Sequence, residues 1–229
     1  MNFEYQYWYF SSALHESFCD SVVKYFNNKK EQTAVTGNIK NMREKLGDSA
    51  KEKTDDEILK LAEEKNMIEL KEFKKKRKSN VAWGNEPWLY NEITPYIHTA
   101  NKNANWNLEW SYCETIQFTK YRLNQHYGWH KDSSPEPYGD DSSDDFKGKI
   151  RKLSCIISLS DPSDYKGGEL EFCPDNSEPD KPRNIMECKE VKPKGSVIVF
   201  PSDVYHQVKP ITKGTRYSLV VWCLGKPFQ

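Results

Sequence analysis

Residues 116–132 have the sequence IQFTKYRLNQHYGWHKD. From residue 113 to Tyr121, alternate side chains fall on one face of an extended chain, the period that is typical of a β-strand. The stretch ends in His130-Lys131-Asp132, where the same alternation points His130 and Asp132 in one direction. The stretch therefore predicts a strand that leads directly to a pair of potential metal ligands.

Further short runs with the same period follow along the chain. Alternate residues from Leu153 to Leu159 share one face, and Gly, Pro and Asp residues separate the later runs. These later runs are Gly168–Phe172, Ser196–Phe200 and Arg216–Cys223. Many short strands after a helical half predict a mainly β fold with flanking helices, an all-β sandwich or jelly roll.

Residues 1–107 are predicted to be mostly helical after an initial strand. A first helix is predicted from an apolar face that ends at Phe26. The polar stretch from Gly37 to about Lys53 predicts a mobile surface connection. A capping box of Thr54 with Glu57 then begins a second helix, which runs to about Phe73. Pro87 suits the start of a third helix, which Pro95 is expected to kink or split. We expect one domain over 1–229, in which 1–107 supports a β core at 108–229.

Composition excludes several classes of function. Lys and Arg balance Asp and Glu at 34 each, so no net field favours nucleic acid or an anionic membrane. The six Cys residues form no CxxC pair, Met1–Phe10 lacks the features of a signal peptide, and no apolar run reaches transmembrane length. These features predict a cytoplasmic protein in a reducing compartment, with no nucleic-acid or membrane partner.

Two histidines and one aspartate are the candidate metal ligands. Two imidazoles with one carboxylate suit Fe(II), and they leave three coordination positions open when they occupy one face of the ion. His130 and Asp132 supply two ligands, and Phe200–Asp203 predicts a turn that brings His206 to them. An HxD pair alone is a weak signal, since a surface His beside a loop gives the same pattern. His126 is the rival ligand because it lies four residues before His130.

Arg216 follows His206 by ten residues. Its guanidinium indicates which co-substrate occupies the open coordination positions of the metal. A 2-oxo acid fills two of them and O2 the third, while a buried guanidinium binds the far carboxylate. Ser218 shares the face of Arg216, and the Tyr121 hydroxyl is a further candidate contact, although a packed core Tyr explains the residue nearly as well. The residues predict an oxygenase that depends on Fe(II), 2-oxoglutarate and O2.

Two charged segments have simpler explanations. Lys71–Lys78 holds six basic residues in eight, but neighbouring acidic residues favour a solvated helix end over a nucleic-acid site. The polar segment Ser133–Lys149 follows the HxD pair and is a candidate lid or substrate-binding loop, or else a disordered one.

With these residues identified, the chain resembles a known family. The sequence from Tyr121 to Asp132 is similar to the Tyr-x-x-Gly-Gln-x-Tyr-x-x-His-x-Asp motif of prolyl 4-hydroxylases, and it looks closest to bacterial and phage hydroxylases related to PiuC. The resemblance covers about residues 110–225. Asn124 stands where the family usually has Gly, and Asn is the non-Gly residue that best tolerates the left-handed backbone of such a turn.

The resemblance implies a double-stranded β-helix (a cupin-like jelly roll), hydroxylation with release of succinate and CO2, and ascorbate (vitamin C) as reductant. By motif position, it implies that His130, Asp132 and His206 bind iron and that Tyr121 and Arg216 bind 2-oxoglutarate. The candidate substrate contacts are Trp222, Tyr127 and Trp129.

The favoured substrate is a prolyl residue of a peptide or protein. Two alternatives stay open, a hydroxylase of a free amino acid or other small metabolite, and a non-catalytic module that binds 2-oxoglutarate.

Overall fold

A computed structural model describes residues 3–35, 38–140, 142–175 and 184–228. Its helices are α1 (Glu16–Asn27), α2 (Asn38–Leu46), α3 (Asp55–Glu64), α4 (Ile68–Lys76) and α5 (Pro87–Asn103). Its strands are β1 (Trp8–Phe10), β2 (Gln32–Thr33), β3 (Arg77–Lys78), β4 (Asn80–Gly84), β5 (Tyr112–Cys113), β6 (Ile116–Tyr121), β7 (His126–His130), β8 (Ile150–Ser158), β9 (Tyr165–Gly167), β10 (Leu170–Cys173), β11 (Met186–Glu187), β12 (Val197–Pro201), β13 (Tyr205–Val208), β14 (Ile211–Gly214) and β15 (Arg216–Gly225).

Two antiparallel sheets carry the β half, as the alternating runs predict. The larger sheet has the strand order β1-β12-β8-β15-β6-β4-β2, with β5 added at one end of β15. The smaller sheet has the order β11-β10-β13-β7-β3, and β9 pairs separately with β14. Side chains of both sheets meet in one apolar cluster that includes Ile156 and Ile198 from the larger sheet and Leu170 and Phe172 from the smaller.

The other face of the larger sheet packs against helices. Alternate residues of β8, Leu153, Cys155 and Ile157, lie in a cluster with Phe26 of α1 and Ile93 of α5. The predicted apolar face of β8 is therefore the one that the helices cover. The period of two thus places one set of β8 side chains against helices and the other set against the smaller sheet.

The sequence-based boundaries of the helices need three corrections. The polar stretch that was expected to be a mobile connection contains α2 and a 3-10 turn at Gly47–Ala50, while Gly37 itself lies outside the described residues. The helix expected from Thr54 to Phe73 is two helices, because Asn66 adopts a left-handed backbone at φ 51° between them. Pro95 lies inside α5 without splitting it.

Helices α2, α3 and α4 form a small core of their own, which explains why weak amphipathic patterns still become helical. Its fully buried members include Met42, Ile58 and Ala62. The predicted capping box at Thr54 and Glu57 is present and begins α3. This helical segment ends at β3, which pairs with β7, so it lies beside the strand that carries His130.

Glu31 joins the helical half to the end of β6 through partly exposed ion pairs. Its carboxylate accepts hydrogen bonds from both Nη atoms of Arg122, at 2.6 and 2.9 Å, and from Lys120 Nζ at 2.9 Å. The hydrogen bonds from Arg122, and then those from Lys120, lower the pKa of Glu31 to about 2 although burial opposes the shift. The ionised carboxylate is therefore bound more tightly in the folded chain than in the unfolded one.

We expect Glu31→Gln to lower the free energy of unfolding by about 1 kcal/mol at pH 7, because it removes the charge from a partly exposed pair. A lowered folded-state pKa stabilises the fold above the unfolded pKa and loses that effect as the pH falls. The difference from wild type should therefore shrink below about pH 4.5 and approach zero near pH 2. Urea denaturation across this range measures it, and Glu64→Gln on the exposed face of α3 is the matched control. If the difference in unfolding free energy between Glu31→Gln and wild type did not change with pH, the assignment of a lowered pKa to Glu31 would be wrong.

Among the described residues, we find no helix with both the length and the apolar character needed to span a bilayer.

Candidate metal centre and adjoining cavity

Strands β7 and β13 bring the two predicted imidazoles side by side. His206 pairs directly with His130 in the antiparallel register, and their ring centroids lie 4.1 Å apart. The register then shifts, so that Val208 pairs with Tyr127 rather than with Gly128. Such a β-bulge redirects side chains. It allows both Tyr127 and His130 to line one cavity although they are three residues apart.

Asp132 completes the cluster. Its Oδ1 lies 3.5 Å from His130 Nε2, and its Oδ2 lies 3.6 Å from His206 Nε2. One ligand atom from each of the three residues lies within 4.8 Å of the others. All three side chains are more than nine-tenths buried. The structure thus brings the three predicted ligands together, whereas His126, the rival, instead contacts the Lys75 carbonyl through Nε2 at 2.8 Å.

Backbone carbonyls set which imidazole nitrogen faces the cluster. His130 Nδ1 lies 2.8 Å from the Gly128 carbonyl, and His206 Nδ1 lies 3.0 Å from the Val204 carbonyl. A carbonyl only accepts, so each Nδ1 carries the hydrogen and each Nε2 presents a lone pair. Burial, with the neighbouring His130, lowers the pKa of His206 to about 4. For His206, both the tautomer and the neutral state are those that a metal ligand requires.

Asp132 is held as a carboxylate. Burial alone would raise its pKa, but His206, His130 and Arg151 together hold the pKa well below its usual range. Ser154 Oγ donates to Asp132 Oδ2 at 2.7 Å and lies 2.9 Å from Ser202 Oγ. The Asp132 backbone NH donates to the Ser202 carbonyl at 3.0 Å. These contacts fix the orientation of the carboxylate.

We expect Ser154→Ala to weaken divalent-metal affinity by about ten-fold, because partners of metal ligands typically contribute ten- to a hundred-fold. Titration with a divalent ion, followed by calorimetry, measures the change. Ser158→Ala is the control, since Ser158 lies on the same strand but its hydroxyl does not contact Asp132. Equal metal affinity in wild type and Ser154→Ala would show that Ser154 does not orient the carboxylate.

Arg216 lies at the start of β15 and is 1% exposed. Its Nε and Nη2 have no hydrogen-bond partner among the described residues, and no described carboxylate pairs with it. A buried guanidinium without an anion is costly, so its environment is suited to a bound anionic group. Gly168 leaves room beside it, since a Cβ there would lie 3.1 Å from Arg216 Cδ.

Tyr121 pairs with Arg216 across β6 and β15, and the guanidinium carbon lies 5.7 Å from the tyrosine ring. Burial raises the pKa of Tyr121, so its hydroxyl remains a hydrogen-bond donor. Ser218 is buried two residues after Arg216 and pairs with Ser158, whose hydroxyl also has no partner in the described chain. The sequence prediction that Tyr121, Arg216 and Ser218 lie together therefore agrees with their strand positions.

The turn before β7 also agrees with the sequence analysis. Asn124 adopts a left-handed backbone at φ 61°. Its NH donates to the Ile211 carbonyl at 2.8 Å, which joins the turn to the start of β14. Asn at the glycine position of the motif is therefore compatible with the turn.

A cavity of about 550 Å³ opens beside the cluster, a size typical of small-molecule sites. His130 and Asp132 line its base, together with Tyr127 and Trp222. Residues 30, 32–35 and 54–56 of the helical half also line the cavity. Trp129 is half-buried on β7 and is not among the lining residues, so it is not carried forward as a substrate contact.

Arg77 is a cavity residue that sequence reasoning missed. The run Lys71–Lys78 was expected to be solvated, yet Arg77 is only 6% exposed. Its guanidinium carbon lies 4.3 Å from the Tyr127 ring centre, and its Nη2 donates to Gln117 Oε1 at 3.3 Å. Its position in the sequence could have indicated burial. Arg77 is at the end of the basic run, just before the alternating strand β4, and a residue in an extended chain there can point into the protein.

Arg151, which lines the cavity, forms a buried ion pair with Glu114. The Nε and Nη2 of Arg151 each donate to one Glu114 oxygen at 2.6 Å, and Tyr138 donates to the same carboxylate at 3.0 Å. The guanidinium carbon of Arg151 lies 3.9 Å from the Trp222 ring centre. Tyr138 belongs to the predicted loop 133–149, of which residue 141 is not described, so this loop reaches the cavity wall.

Comparison with known proteins agrees with this geometry. Residues 116–224 match the sequence profile of the 2OG-Fe(II) oxygenase superfamily, and these residues include the whole His-Asp-His cluster and Arg216. The resemblance predicted from the motif is therefore confirmed for this part of the chain. The family description itself implies Fe(II) and 2-oxoglutarate.

Curated relatives match over the same region. A PKHD-type hydroxylase of Sphingopyxis alaskensis is 37% identical over 99 residues, which are 43% of this chain and 38% of that protein. A PKHD-type hydroxylase of Synechococcus sp. is 33% identical over 109 residues, which are 47% of this chain and 40% of that protein. The chain thus spans about two fifths of the length of these relatives.

Fold similarity extends over nearly the whole chain. A crystal structure of a viral collagen prolyl hydroxylase from Paramecium bursaria Chlorella virus-1 superposes with a TM-score of 0.58 and covers 97% of each chain, at 16% sequence identity. The predicted double-stranded β-helix with flanking helices is confirmed by this likeness, which concerns the fold alone.

Proposed function

We propose, from the premise that residues 116–224 belong to the 2OG-Fe(II) oxygenase superfamily, that the chain is a 2-oxoglutarate-dependent dioxygenase that hydroxylates a prolyl residue of a peptide or protein. The proposal is carried by two features together: a buried His-Asp-His cluster, and a buried Arg216 whose Nε and Nη2 have no hydrogen-bond partner among the described residues. The cluster suits a divalent iron and the guanidinium suits a carboxylate. The two features together account for both the metal and the co-substrate.

The residues fit the groups that the family implies. His130, Asp132 and His206 would hold Fe(II) through two Nε2 atoms and a carboxylate oxygen. Arg216 would bind the far carboxylate of 2-oxoglutarate, with Tyr121 and Ser218 as neighbouring hydroxyl groups. Iron and 2-oxoglutarate, when bound, would supply the oxidising power, with succinate and CO2 as products and ascorbate as the reductant that maintains Fe(II).

The protein contributes orientation, charge and exclusion of water. Gly128 and Val204 carbonyls fix the two imidazoles, while Ser154 fixes the carboxylate. Because the cluster is buried, its electrostatic interactions act at a low local dielectric. A positioned substrate C–H bond then reacts in a site that bulk water does not fill.

Aromatic and hydrogen-bonding groups support a peptide substrate. Tyr127, Trp83 and Trp222 present aromatic surface to the cavity, which suits the apolar ring of a prolyl residue. Trp222 Nε1 is buried without an acceptor in the described chain, so it is available to a peptide carbonyl. Relatives named PKHD-type hydroxylases and a fold neighbour named a collagen prolyl hydroxylase favour the same substrate class.

A small anionic metabolite is the second candidate. Arg77 presents a buried guanidinium to the cavity, and no described carboxylate forms an ion pair with it. A free amino acid or another small carboxylate would complete that contact. Part of the cavity lining also comes from the helical half, at residues 30, 32–35 and 54–56.

The test is succinate release by the iron-loaded protein in air with 2-oxoglutarate and ascorbate, with and without proline-rich peptides. We expect the peptide to stimulate succinate release and to gain the mass of one oxygen atom. Peptides in which alanine replaces each proline are the matched control. Succinate release without peptide stimulation would support the small-molecule candidate. Absence of turnover with retained 2-oxoglutarate binding would favour a non-catalytic module.

Loop 133–149 separates the substrate classes further. Shortening it removes Tyr138 from Glu114 without touching the cluster. If the loop contacts a peptide, peptide hydroxylation should fall while peptide-independent succinate release persists. If both activities fell equally, the loop would instead be required to maintain the metal site.

A further inference from the structure

Two cysteine thiols face each other on neighbouring strands close to the cavity. Cys113 of β5 and Cys223 of β15 are directly paired in the antiparallel register, and their sulfur atoms lie 2.6 Å apart. Cys113 is half-buried and Cys223 is fully buried. Their chain neighbour Trp222 lines the cavity, and Glu114 binds Arg151, which also lines it, so the thiol pair adjoins the cavity wall.

The strand register makes this pair suitable for a covalent bond. The Glu114 NH donates to the Trp222 carbonyl at 2.8 Å, which joins the residue after Cys113 to the residue before Cys223. Directly opposed residues of an antiparallel ladder have Cα atoms about 4.5 or about 5.5 Å apart, depending on the type of pair. Disulfides span Cα separations of about 4.4–6.8 Å. The backbone therefore already has the spacing that a disulfide needs.

We propose that Cys113 and Cys223 are a reversible dithiol–disulfide site that a peroxide oxidises, and that the disulfide ties β5 to β15. Strand β5 is two residues long and lies off the main path of the larger sheet, where it pairs with β15 alone. A short strand with one neighbour is held weakly. A covalent link at this position thus fixes the segment that carries Glu114.

The reaction balances with peroxide as the only oxidant. The Cys113 thiolate attacks one peroxide oxygen, the O–O bond breaks, and the other oxygen leaves as hydroxide and becomes water. The Cys223 sulfur then attacks the sulfenic acid, so that the S–S bond forms, the S–O bond breaks, and a second water leaves with the thiol proton. The two sulfur atoms lose two electrons in total and the peroxide gains two. A dithiol reductant reverses the change.

The difference in solvent exposure between the two thiols indicates which of them reacts first with peroxide. Cys113 is the member of the pair that solvent reaches. Burial, together with the neighbouring Cys113 and Cys155, raises the pKa of the Cys223 thiol, which disfavours it as the first nucleophile. Cys155 lies diagonally across β8, where it pairs with Val221 rather than with Cys223. It is therefore the internal control for specificity.

The test uses the full chain, treated with a chelator so that bound iron does not decompose the reagent, and exposed to hydrogen peroxide. We expect alkylation to label four cysteines instead of six, a peptide map to link Cys113 with Cys223, and a dithiol reductant to restore both thiols. Because the link closes a loop with a sequence separation of 110 residues, oxidation should raise Tm by roughly 10 °C.

Three variants make the result decisive. Cys113→Ser, at the half-exposed position, should prevent both the link and the rise in Tm, whereas Cys155→Ser should retain both. Cys223→Ala tests the other partner by the same mass measurement, which does not require catalytic activity. Six alkylated cysteines after peroxide treatment, or a link that joins other residues, would overturn the proposal.

Discussion

His206→Ala is expected to lower 2-oxoglutarate turnover by at least about a thousand-fold, because it removes one of three ligands from a site that has no described substitute. The imidazole is buried, neutral and oriented by the Val204 carbonyl, so no mobile side chain replaces its Nε2. The remaining His130 and Asp132 form only a two-ligand site, and metal affinity should fall with activity. Succinate release and calorimetric metal titration measure the two losses.

His126→Ala is the matched control for this variant. It removes the other histidine near the HxD pair, but His126 contacts the Lys75 carbonyl and lies outside the cluster. We expect its metal affinity and succinate release to stay within about two-fold of wild type. If His126→Ala lost metal and His206→Ala retained it, the ligand assignment would be wrong.

Arg216→Met is expected to raise the 2-oxoglutarate concentration needed for half-maximal turnover by about a hundred-fold. A charge-assisted contact between a buried guanidinium and a carboxylate accounts for about 2–3 kcal/mol, and each 1.4 kcal/mol corresponds to a factor of ten. Metal binding should be unchanged, since Arg216 is not part of the His-Asp-His cluster. Succinate release as a function of 2-oxoglutarate concentration gives the shift.

The stability of the metal-free protein provides an independent test of the same residue. A buried charge without a partner destabilises the fold, so its replacement by an apolar side chain of similar length should leave Tm unchanged or raise it. Arg122→Met is the control, because Arg122 is ion-paired with Glu31 and should lose a small amount of stability without affecting 2-oxoglutarate. Arg216→Met with normal 2-oxoglutarate dependence and a strongly lowered Tm would make Arg216 a structural residue only.

The elements that sequence analysis predicted well are those in which local periodicity decides the outcome. The alternation that places His130 and Asp132 together is intrinsic to an extended chain, and the apolar face of β8 follows from the same period. Asn124 is a further case, because the left-handed turn depends on the residue itself rather than on distant contacts.

Tertiary contacts decide what the sequence did not reveal. Arg77 belongs to a basic run that is typical of solvated helix ends, and only the pairing of β3 with β7 buries it against Tyr127. Ser154 orients Asp132 across strands that are distant in sequence. Helix α2 forms from a weak pattern because Met42 packs into the small core with Ile58. The neighbouring sequence alone determines none of these contacts.

The most direct test of the central claim is incorporation of isotopically labelled O2 during turnover of 2-oxoglutarate by the iron-loaded protein. A dioxygenase of this type transfers one oxygen atom from O2 to succinate and the other to the hydroxylated substrate. We therefore predict labelled succinate from the wild-type protein and none from His206→Ala. Wild-type protein that retains iron but produces no labelled succinate would contradict the proposed activity.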